Sequence, residues 1–449
     1  MATKTKAKKG NNKMPATKKQ SKANKVLNWL NPTSPAKSML LFALAFAIVG
    51  GGYMAYRSFA ASNPPLVFTT LTIDESSPYG SVQQIRSIGA DGTGNTLLTS
   101  ASSTPTSGTS ASDGQYSPNH NFVAWTEFTN GNPTGAVKVL DTSNATSKSS
   151  WRNKSFTMLA NESAHVNHLA KPFVWYPDSR SIAFASQNDI NNTRTLQKLD
   201  ITTGAMTKIA DIGSNPNYGN GPDVSSYAVL GDGQTVVYLS GSGDVMKSAK
   251  PGSPPAGLSL PTSASNCGNV RARPNTTRQF SYFCQIDGSE TKIFRQVPGG
   301  RPVALVAMAN FKSPTASSTY LEAFEWSPNG IKMGLSLTDV YRTSPEECGS
   351  IDIQTRITSV DFTTGSSILT DIATTPKVGG SSCKGAHGND GSIIAWSQDN
   401  QFIAYMSNVT IMTPYYQATD IYRVSTTTPY SAQQLINVPA PTGVSSLSW

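Results

Sequence analysis

Short apolar runs alternate with clusters of Gly, Asn, Asp, Ser and Pro from about residue 64 to the end of the 449-residue chain. Runs of this length, bounded by turn-forming residues, are typical of β-strands. This part of the chain has no long segment with the 3.6-residue periodicity of an amphipathic helix. The pattern therefore predicts an all-β fold.

One phrase recurs along these runs: an aromatic or apolar residue, a turn such as Ser-Pro-Asn-Gly, and then a strand with an aromatic residue near its centre. Pro presets φ for such a turn, and Asn or Asp caps it or accepts a left-handed conformation. The phrase recurs at intervals of roughly 40 to 70 residues, which fits units of four strands joined by variable loops. The turns lie at 116–120, 175–179, 230–233, 273–275, 326–330 and 396–400.

Repeated units of four strands predict a β-propeller, because a radial array of small sheets leaves only short, protected edges. We name the strands of each unit A to D, so that the recurring turn joins A to B. Residues 444–449 look like a strand A that stops at its Trp, whereas the strands expected at about 66–73, 81–89 and 95–100 lack a first strand. Together they make a seventh blade closed by both termini. We predict seven blades over 66–449, with six or eight as alternatives.

The turn Trp-Ser-Pro-Asn/Asp-Gly followed by Ile-Ala-Phe/Tyr-x-Ser resembles the propeller repeat of the TolB family. The stretch 85–99 is similar to the second half of such a repeat. The resemblance extends over about 66–449, strongly in three or four units and weakly in those at 230 and 273. It implies the fold far more than a function.

An uncharged segment precedes the predicted propeller. Between Lys37 and Arg57 lie 19 residues without charge, and a helix of that length is about 28 Å long, close to the roughly 30 Å of a bilayer core. Tyr53 and Tyr56 suit the far interface. We predict a single transmembrane helix over 38–57. The alternative is a signal peptide cleaved near Ala60, which would leave a secreted protein.

The formal net charge of +9 comes from the first 57 residues. They contain ten lysines and Arg57 but no acid, and the first carboxylate of the chain is that of Asp74. The remaining 25 basic and 27 acidic residues give residues 58–449 a net charge of about −2. A nucleic-acid-binding body carries its own basic stripe, so no nucleic-acid partner is expected.

The lysines also predict an orientation. Positive residues stay on the cytoplasmic side, which places the tail 1–37 in the cytoplasm and the propeller outside. The tail has no apolar periodicity and is predicted to be disordered, with its lysines attracted to anionic lipids of the inner leaflet. Residues 58–65 form a linker between the helix and the propeller.

Four cysteines lie in the predicted propeller: Cys267, Cys284, Cys348 and Cys383. An even number in an exported domain favours disulfides, with three possible pairings. The expected strand order puts Cys267 before strand A and Cys284 at the end of strand B in one unit. Cys348 falls in the B–C loop of the next unit and Cys383 in the D–A loop that follows. We predict the pairs Cys267–Cys284 and Cys348–Cys383 on the face formed by these loops. No Cys-x-x-Cys pair occurs, so no metal is predicted.

The same loop face collects polar residues that suit a ligand or catalytic patch. These candidates are His165, His168, His387, Asp390, Glu346 and Glu347. Ordinary polar loop chemistry is the alternative explanation. The chain has no Gly-x-Ser-x-Gly elbow, Walker loop or dinucleotide fingerprint. We therefore assign no catalytic residue and no cofactor.

Three functions are compatible with the sequence. The first is a membrane-tethered extracytoplasmic propeller, monomeric and non-catalytic, that binds or scaffolds a protein or glycan of the cell envelope. The second is a propeller enzyme, a glycan hydrolase or lyase, that uses the histidine and carboxylate residues of the loop face. The third is a TolB-like component of envelope transport or integrity, which rests on the resemblance alone.

Overall fold

The computed structural model describes residues 63–73, 81–99, 109–129, 136–143, 152–157, 162–164, 173–188, 193–214, 224–240, 245–342, 350–364, 367–375, 377–381, 394–410, 417–438 and 442–449. Within these ranges the chain forms β-strands and one 3-10 turn, Met308–Asn310, without any α-helix. No helix in this part of the chain is long and apolar enough to cross a membrane. The predicted tail 1–37, the transmembrane segment 38–57 and most of the linker 58–65 lie outside the described residues.

The strands form seven sheets, which we number as blades. Blade 7, shared by both ends of the chain, begins with β1 (Leu66–Ile73), β2 (Ser81–Ile88) and β3 (Thr96–Leu97). Blade 1 contains β4 (Thr109–Tyr116), β5 (Phe122–Thr129), β6 (Ala136–Asp141) and β7 (Arg152–Thr157). Blade 2 contains β8 (Glu162–Ala164), β9 (Phe173–Trp175), β10 (Ser181–Asn188), β11 (Thr193–Asp200) and β12 (Met206–Ser214).

The next two blades follow the same order. Blade 3 contains β13 (Val224–Val229), β14 (Val236–Ser240), β15 (Val245–Lys250) and β16 (Ser253–Leu258). Blade 4 contains β17 (Ala264–Ala272), β18 (Phe280–Ile286), β19 (Glu290–Gln296) and β20 (Val303–Ala307).

Blade 5 contains β21 (Ser318–Trp326), β22 (Lys332–Arg342), β23 (Ser350–Asp361), β24 (Ile368–Thr374) and β25 (Val378–Ser381). Blade 6 contains β26 (Ile394–Trp396), β27 (Phe402–Thr410), β28 (Gln417–Ser425) and β29 (Ala432–Val438), and β30 (Thr442–Ser448) completes blade 7.

Neighbouring strands within each blade pair antiparallel in the order A, B, C, D. The A strands of successive blades contact one another, as β17 does with β13 and β21. The predicted seven blades are confirmed. Closure by both termini is confirmed as well, because β30 pairs with β1 in a register that places Leu447 opposite Phe68.

Polar side chains build the turn between strands A and B. In blade 6 the Ser397 hydroxyl donates to Asp399 Oδ1 at 2.6 Å and accepts from the backbone N–H of Phe402 at 2.9 Å. Asp399 Oδ1 also accepts from the backbone N–H of Gln401 at 3.0 Å. Such side-chain bonds satisfy the backbone groups that a tight turn leaves unpaired, as the repeat predicts.

The aromatic residue of strand B fills the space between blades. In blade 6 this residue is Tyr405, which is almost completely buried. It packs in a cluster with Trp396 of its own blade and with Ile357 and Ile372 of blade 5. Each interface between blades is therefore an apolar core made by two sheets.

The pair Cys267–Cys284 forms a disulfide, as predicted. Its predicted location is wrong, because Cys267 lies inside strand A and the bridge is buried between blades 3 and 4 instead of on the loop face. Asn266 and Asn269 adopt left-handed conformations with φ of 47° and 55°. The register between β17 and β18 shifts at both places, so the strand bulges there. The Cys267 side chain is thereby included in the strand and buried. Cys348 and Cys383 lie outside the described residues.

Candidate binding site

The candidates from the sequence fall in connections that the structure does not describe. His165 and His168 lie in 165–172, Glu346 and Glu347 in 343–349, and His387 and Asp390 in 382–393. That the loop face brings these six residues together remains a prediction. The described residues at the same end of the blades nevertheless form a polar cavity.

This cavity has a volume of about 340 Å³ and lies between the connection from blade 4 to blade 5 and strands B, C and D of blade 5. We call it the blade 5 cavity. Asp339 and Tyr341 stand near the end of β22, where strand B approaches the B–C loop. The cavity therefore lies towards the face formed by the D–A and B–C loops. Its lining comprises Asn310, Phe311, Lys312, Ser313, Pro314, Asp339, Tyr341, Gln354, Arg356, Leu369, Asp371 and Thr374.

Arg356 of β23 organises the floor of the cavity. Its Nε and Nη2 donate to the two oxygens of Asp339 at 2.7 and 3.0 Å, and its Nη1 donates to Asp371 at 3.0 Å. Nη2 also donates to the backbone carbonyl of Phe311 at 2.5 Å, in the connection from blade 4. Burial alone lowers the pKa of Arg356, but the hydrogen bonds and charges of Asp339 and Asp371 outweigh it and raise the pKa. A permanent cation thus ties three strands to the connection.

The two carboxylates differ in exposure. The side chain of Asp339 is only 1% exposed, and the Thr319 hydroxyl donates to its Oδ1 at 2.6 Å. The side chain of Asp371 is 52% exposed, although Arg356 and the Thr358 hydroxyl hold its Oδ1. A carboxylate has about four acceptor sites. Asp371 is therefore fixed in position and still able to accept a hydrogen bond from a ligand.

A second set of bonds orients one wall of the cavity. The Tyr341 hydroxyl donates to Gln354 Oε1 at 3.1 Å, and Gln354 Nε2 donates to the backbone carbonyl of Thr375 at 2.6 Å. The ammonium of Lys377 lies 3.5 Å from the centroid of the Tyr341 ring. These contacts hold the ring and its hydroxyl before any ligand arrives, which reduces the entropy cost of binding.

The cavity offers a carboxylate, a phenol and the amine of Lys312 beside the apolar surfaces of Pro314 and Leu369. A few fixed polar groups among apolar walls are typical of small-molecule sites, and the volume falls near the lower end of their range of about 300–1,000 Å³. Donors and acceptors of these kinds suit a ligand with several hydroxyl groups. Within the described residues no cluster of three or more His, Cys, Asp or Glu side chains is placed to hold a metal ion.

Sequence reasoning missed this site. Asp339 sits in the otherwise apolar and small-residue stretch 335–340, and Arg356 lies in the middle of a strand. Isolated charges inside predicted strands signal a buried ion pair, because a lone buried charge is costly. The partner of each charge is 15 or 17 residues away in the chain, so no local motif connects them.

No protein-family model matches the chain, and no curated protein matches its sequence. Solved structures do resemble it. An oligogalacturonate lyase from Vibrio parahaemolyticus is similar over 82% of this chain and 92% of its own, with 11% identity and a TM-score of 0.50. TolB from Acinetobacter baumannii is similar over 92% of this chain and 72% of its own, with 13% identity and a TM-score of 0.40.

The periplasmic gluconolactonase of Pseudomonas aeruginosa is similar over 83% of this chain and 96% of its own, with 12% identity and a TM-score of 0.47. Sequence identities this low indicate a similar fold and nothing about function. The chain is an all-β, seven-bladed propeller that has TolB among its structural neighbours. Those neighbours include proteins named as enzymes and a protein that is not, so they do not decide the function of this chain.

Proposed function

We propose that the protein is a membrane-tethered, extracytoplasmic β-propeller that binds a glycan or a protein of the cell envelope without catalysis. The blade 5 cavity is the observation that supports binding. It lies towards the end of the blades from which the D–A and B–C connections leave, and its polar groups are held in place by bonds within the protein. Loops and cavities on a rigid scaffold are where such proteins commonly carry their ligand sites.

The arrangement of charges favours binding over proton transfer. Asp339 and Asp371 both accept hydrogen bonds from, and form salt bridges with, the same cation, Arg356. A general base must lie within hydrogen-bond reach of the proton that it abstracts, and the Asp339 side chain, only 1% exposed behind this ion pair, does not reach a ligand. The cavity size and its hydroxyl-directed groups favour a saccharide unit as the part of the ligand that enters.

The full chain, extracted in detergent, should be tested on a glycan array and by crosslinking in intact cells. The variant Tyr341→Ala removes the ordered wall and should weaken binding by about tenfold or more, the usual cost of a well-placed anchor. Tyr430→Ala is the matched control, because Tyr430 is 38% exposed in the C–D turn of blade 6, at the other end of the blades.

Equal binding by both variants would place the ligand elsewhere and contradict the role of the cavity. Capture of no glycan and no envelope protein by the unmodified chain would contradict the binding function. Turnover of an array glycan that Asp371→Asn abolishes would show an enzyme instead.

A further inference from the structure

The propeller is nearly neutral as a whole but contains one strongly basic sector. Residues 245–312 form blade 4 with the outer half of blade 3, and they contain nine basic but only two acidic residues. The two acids, Asp287 and Glu290, lie at the B–C turn of blade 4. The opposite end of that blade, where the A–B and C–D turns meet, is therefore exclusively basic.

Four arginines lie at this end of blade 4. Arg273 and Arg278 belong to the A–B turn, Arg295 is next to the last residue of β19, and Arg301 belongs to the C–D turn. We call these four residues the arginine patch. Arg278, Arg295 and Arg301 are exposed, and Arg273 is half-buried.

The charge of the patch is not neutralised by the described part of the protein. None of the salt bridges among the described residues of blades 3 to 5 includes a patch residue; they are Lys250–Asp232, Arg271–Glu325, Lys292–Glu290, Lys332–Asp361, Arg356–Asp339 and Arg356–Asp371. Arg273 instead donates to the carbonyl of Gly330 at 2.9 Å and lies over the Trp326 ring. Burial and the nearby charge of Arg295 both lower the pKa of Arg273.

Three other blades carry an acid at the corresponding place. Strand C ends in Asp141 in blade 1, in Asp200 in blade 2 and in Asp361 in blade 5. The corresponding residue of blade 4 is Gln296, and no acid occurs in 291–321. Blade 4 therefore lacks the acid that ends strand C in those three blades, and the positive charge of its turns favours an anionic partner.

The chain also enters the propeller on this face. Asn63 Nδ2 donates to Asp399 Oδ2 in the A–B turn of blade 6 at 2.9 Å, and the Trp449 indole donates to the carbonyl of Pro64 at 2.9 Å. The described part of the chain therefore begins at the face of the A–B turns. The predicted transmembrane segment ends at residue 57, and five extended residues reach about 18 Å at most.

We propose that the arginine patch binds anionic lipid headgroups of the membrane to which the chain is tethered. The proposal depends on the predicted anchor. Guanidinium groups match phosphate oxygens with two parallel hydrogen bonds, and exposed aliphatic residues beside the patch, Val297 and Val303, provide apolar contact. Contact at blade 4 would fix the rotation of the propeller and leave the opposite loop face directed away from the membrane.

The test uses the full chain in lipid nanodiscs, made either of phosphatidylcholine alone or of phosphatidylcholine mixed with phosphatidylglycerol. Amide hydrogen exchange is followed in residues 273–279 and 297–302. Each basic residue near an anionic surface contributes about fivefold to binding, so exchange in these turns should slow by about tenfold or more with phosphatidylglycerol. Added salt should reverse the effect.

The double variant Arg278→Glu/Arg301→Glu should abolish the slowing. Its matched control, Lys292→Glu/Arg342→Glu, makes the same change of charge at the other end of the strands and should keep it. Equal exchange in both kinds of nanodisc would overturn the proposal, as would slowing that survives the charge reversal or that requires added envelope protein. Purification from membranes of a chain that lacks its first 60 residues would also overturn it, because the tether would be absent.

Discussion

The fourth residue of the A–B turn has a positive φ in five blades, although its identity varies. These residues are His120 (58°), Ser179 (55°), Gly233 (65°), Gly330 (68°) and Asn400 (62°). For a residue other than glycine, this left-handed conformation is less favourable by roughly 1–2 kcal/mol of free energy. The side-chain bonds of the preceding Asn or Asp compensate, as when Asp178 Oδ1 accepts from the backbone of Arg180 at 2.8 Å. The turn therefore tolerates several residue types at its strained position.

Gly233 and Gly330 allow the cost of backbone strain to be distinguished from the cost of a steric clash. A Cβ at Gly330 would lie 2.4 Å from the carbonyl oxygen of Pro274 in blade 4, whereas a Cβ at Gly233 would meet nothing within 4 Å. Gly233→Ala should lower the free energy of unfolding by about 1 kcal/mol, and Gly330→Ala by about 1–3 kcal/mol more. Urea unfolding of both variants measures the difference. Equal losses of unfolding free energy would show that the turns of blades 4 and 5 move apart to accommodate the added methyl group.

At the scale of the strands, tryptophans at the end of strand A link one blade to the one before it. The Trp175 indole donates to the carbonyl of Gln115 at 3.4 Å, and the Trp396 indole donates to the carbonyl of Glu325 at 3.0 Å. The acceptor is in both cases the penultimate residue of the preceding strand A. Trp326 differs, because its buried Nε1 has no hydrogen-bond partner among the described residues.

This difference predicts unequal costs for the same substitution. Trp396→Phe removes both volume and the partly buried hydrogen bond to the Glu325 carbonyl. Trp326→Phe removes similar volume but also an unsatisfied polar group. We expect Trp396→Phe to be more destabilising by about 1–2 kcal/mol, the cost of a lost buried bond. Thermal and urea unfolding check this, and a larger loss for Trp326→Phe would mean that stacking under Arg273 matters more than the hydrogen bond.

At the scale of the whole molecule, repeated elements were predictable and unique ones were not. The recurring turn and the unpaired strand that ends in Trp449 predict seven blades and their closure. The location of Cys267 was mispredicted because the bulge at Asn266 and Asn269 follows no repeat. The pair Asp339–Arg356 joins residues of two different strands, so no local motif reveals it. The arginine patch is hidden in the net charge because that charge is summed over the 392 residues of the body. A repeat specifies the scaffold, whereas each of these features belongs to a single blade.

The closure of the ring depends on contacts between blade 7 and blade 1. The backbone N–H of Tyr116 donates to the Ser448 hydroxyl at 3.0 Å, and the backbone N–H of Gly114 donates to Thr69 Oγ1 at 3.3 Å. His120 lies beside the Tyr116 ring, 5.2 Å between centroids, and its Nδ1 is buried without a partner in the described structure. Burial lowers the pKa of His120, although hydrogen bonds with the backbone of Trp449 and Pro118 oppose the shift.

The lowered pKa makes closure sensitive to acid. Above the unfolded value of about 6.5 the imidazole is neutral in both states and the shift contributes nothing. As the pH falls below 6.5, the unfolded chain binds a proton first, so the free energy of unfolding decreases until the lower folded pKa is passed. His120→Asn keeps a residue that accepts positive φ but removes the titrating group. Urea unfolding at pH 7.5 and pH 5 should therefore show a smaller loss of stability for His120→Asn than for the unmodified chain, and parallel losses would rule out a part for His120 in the pH response of the ring.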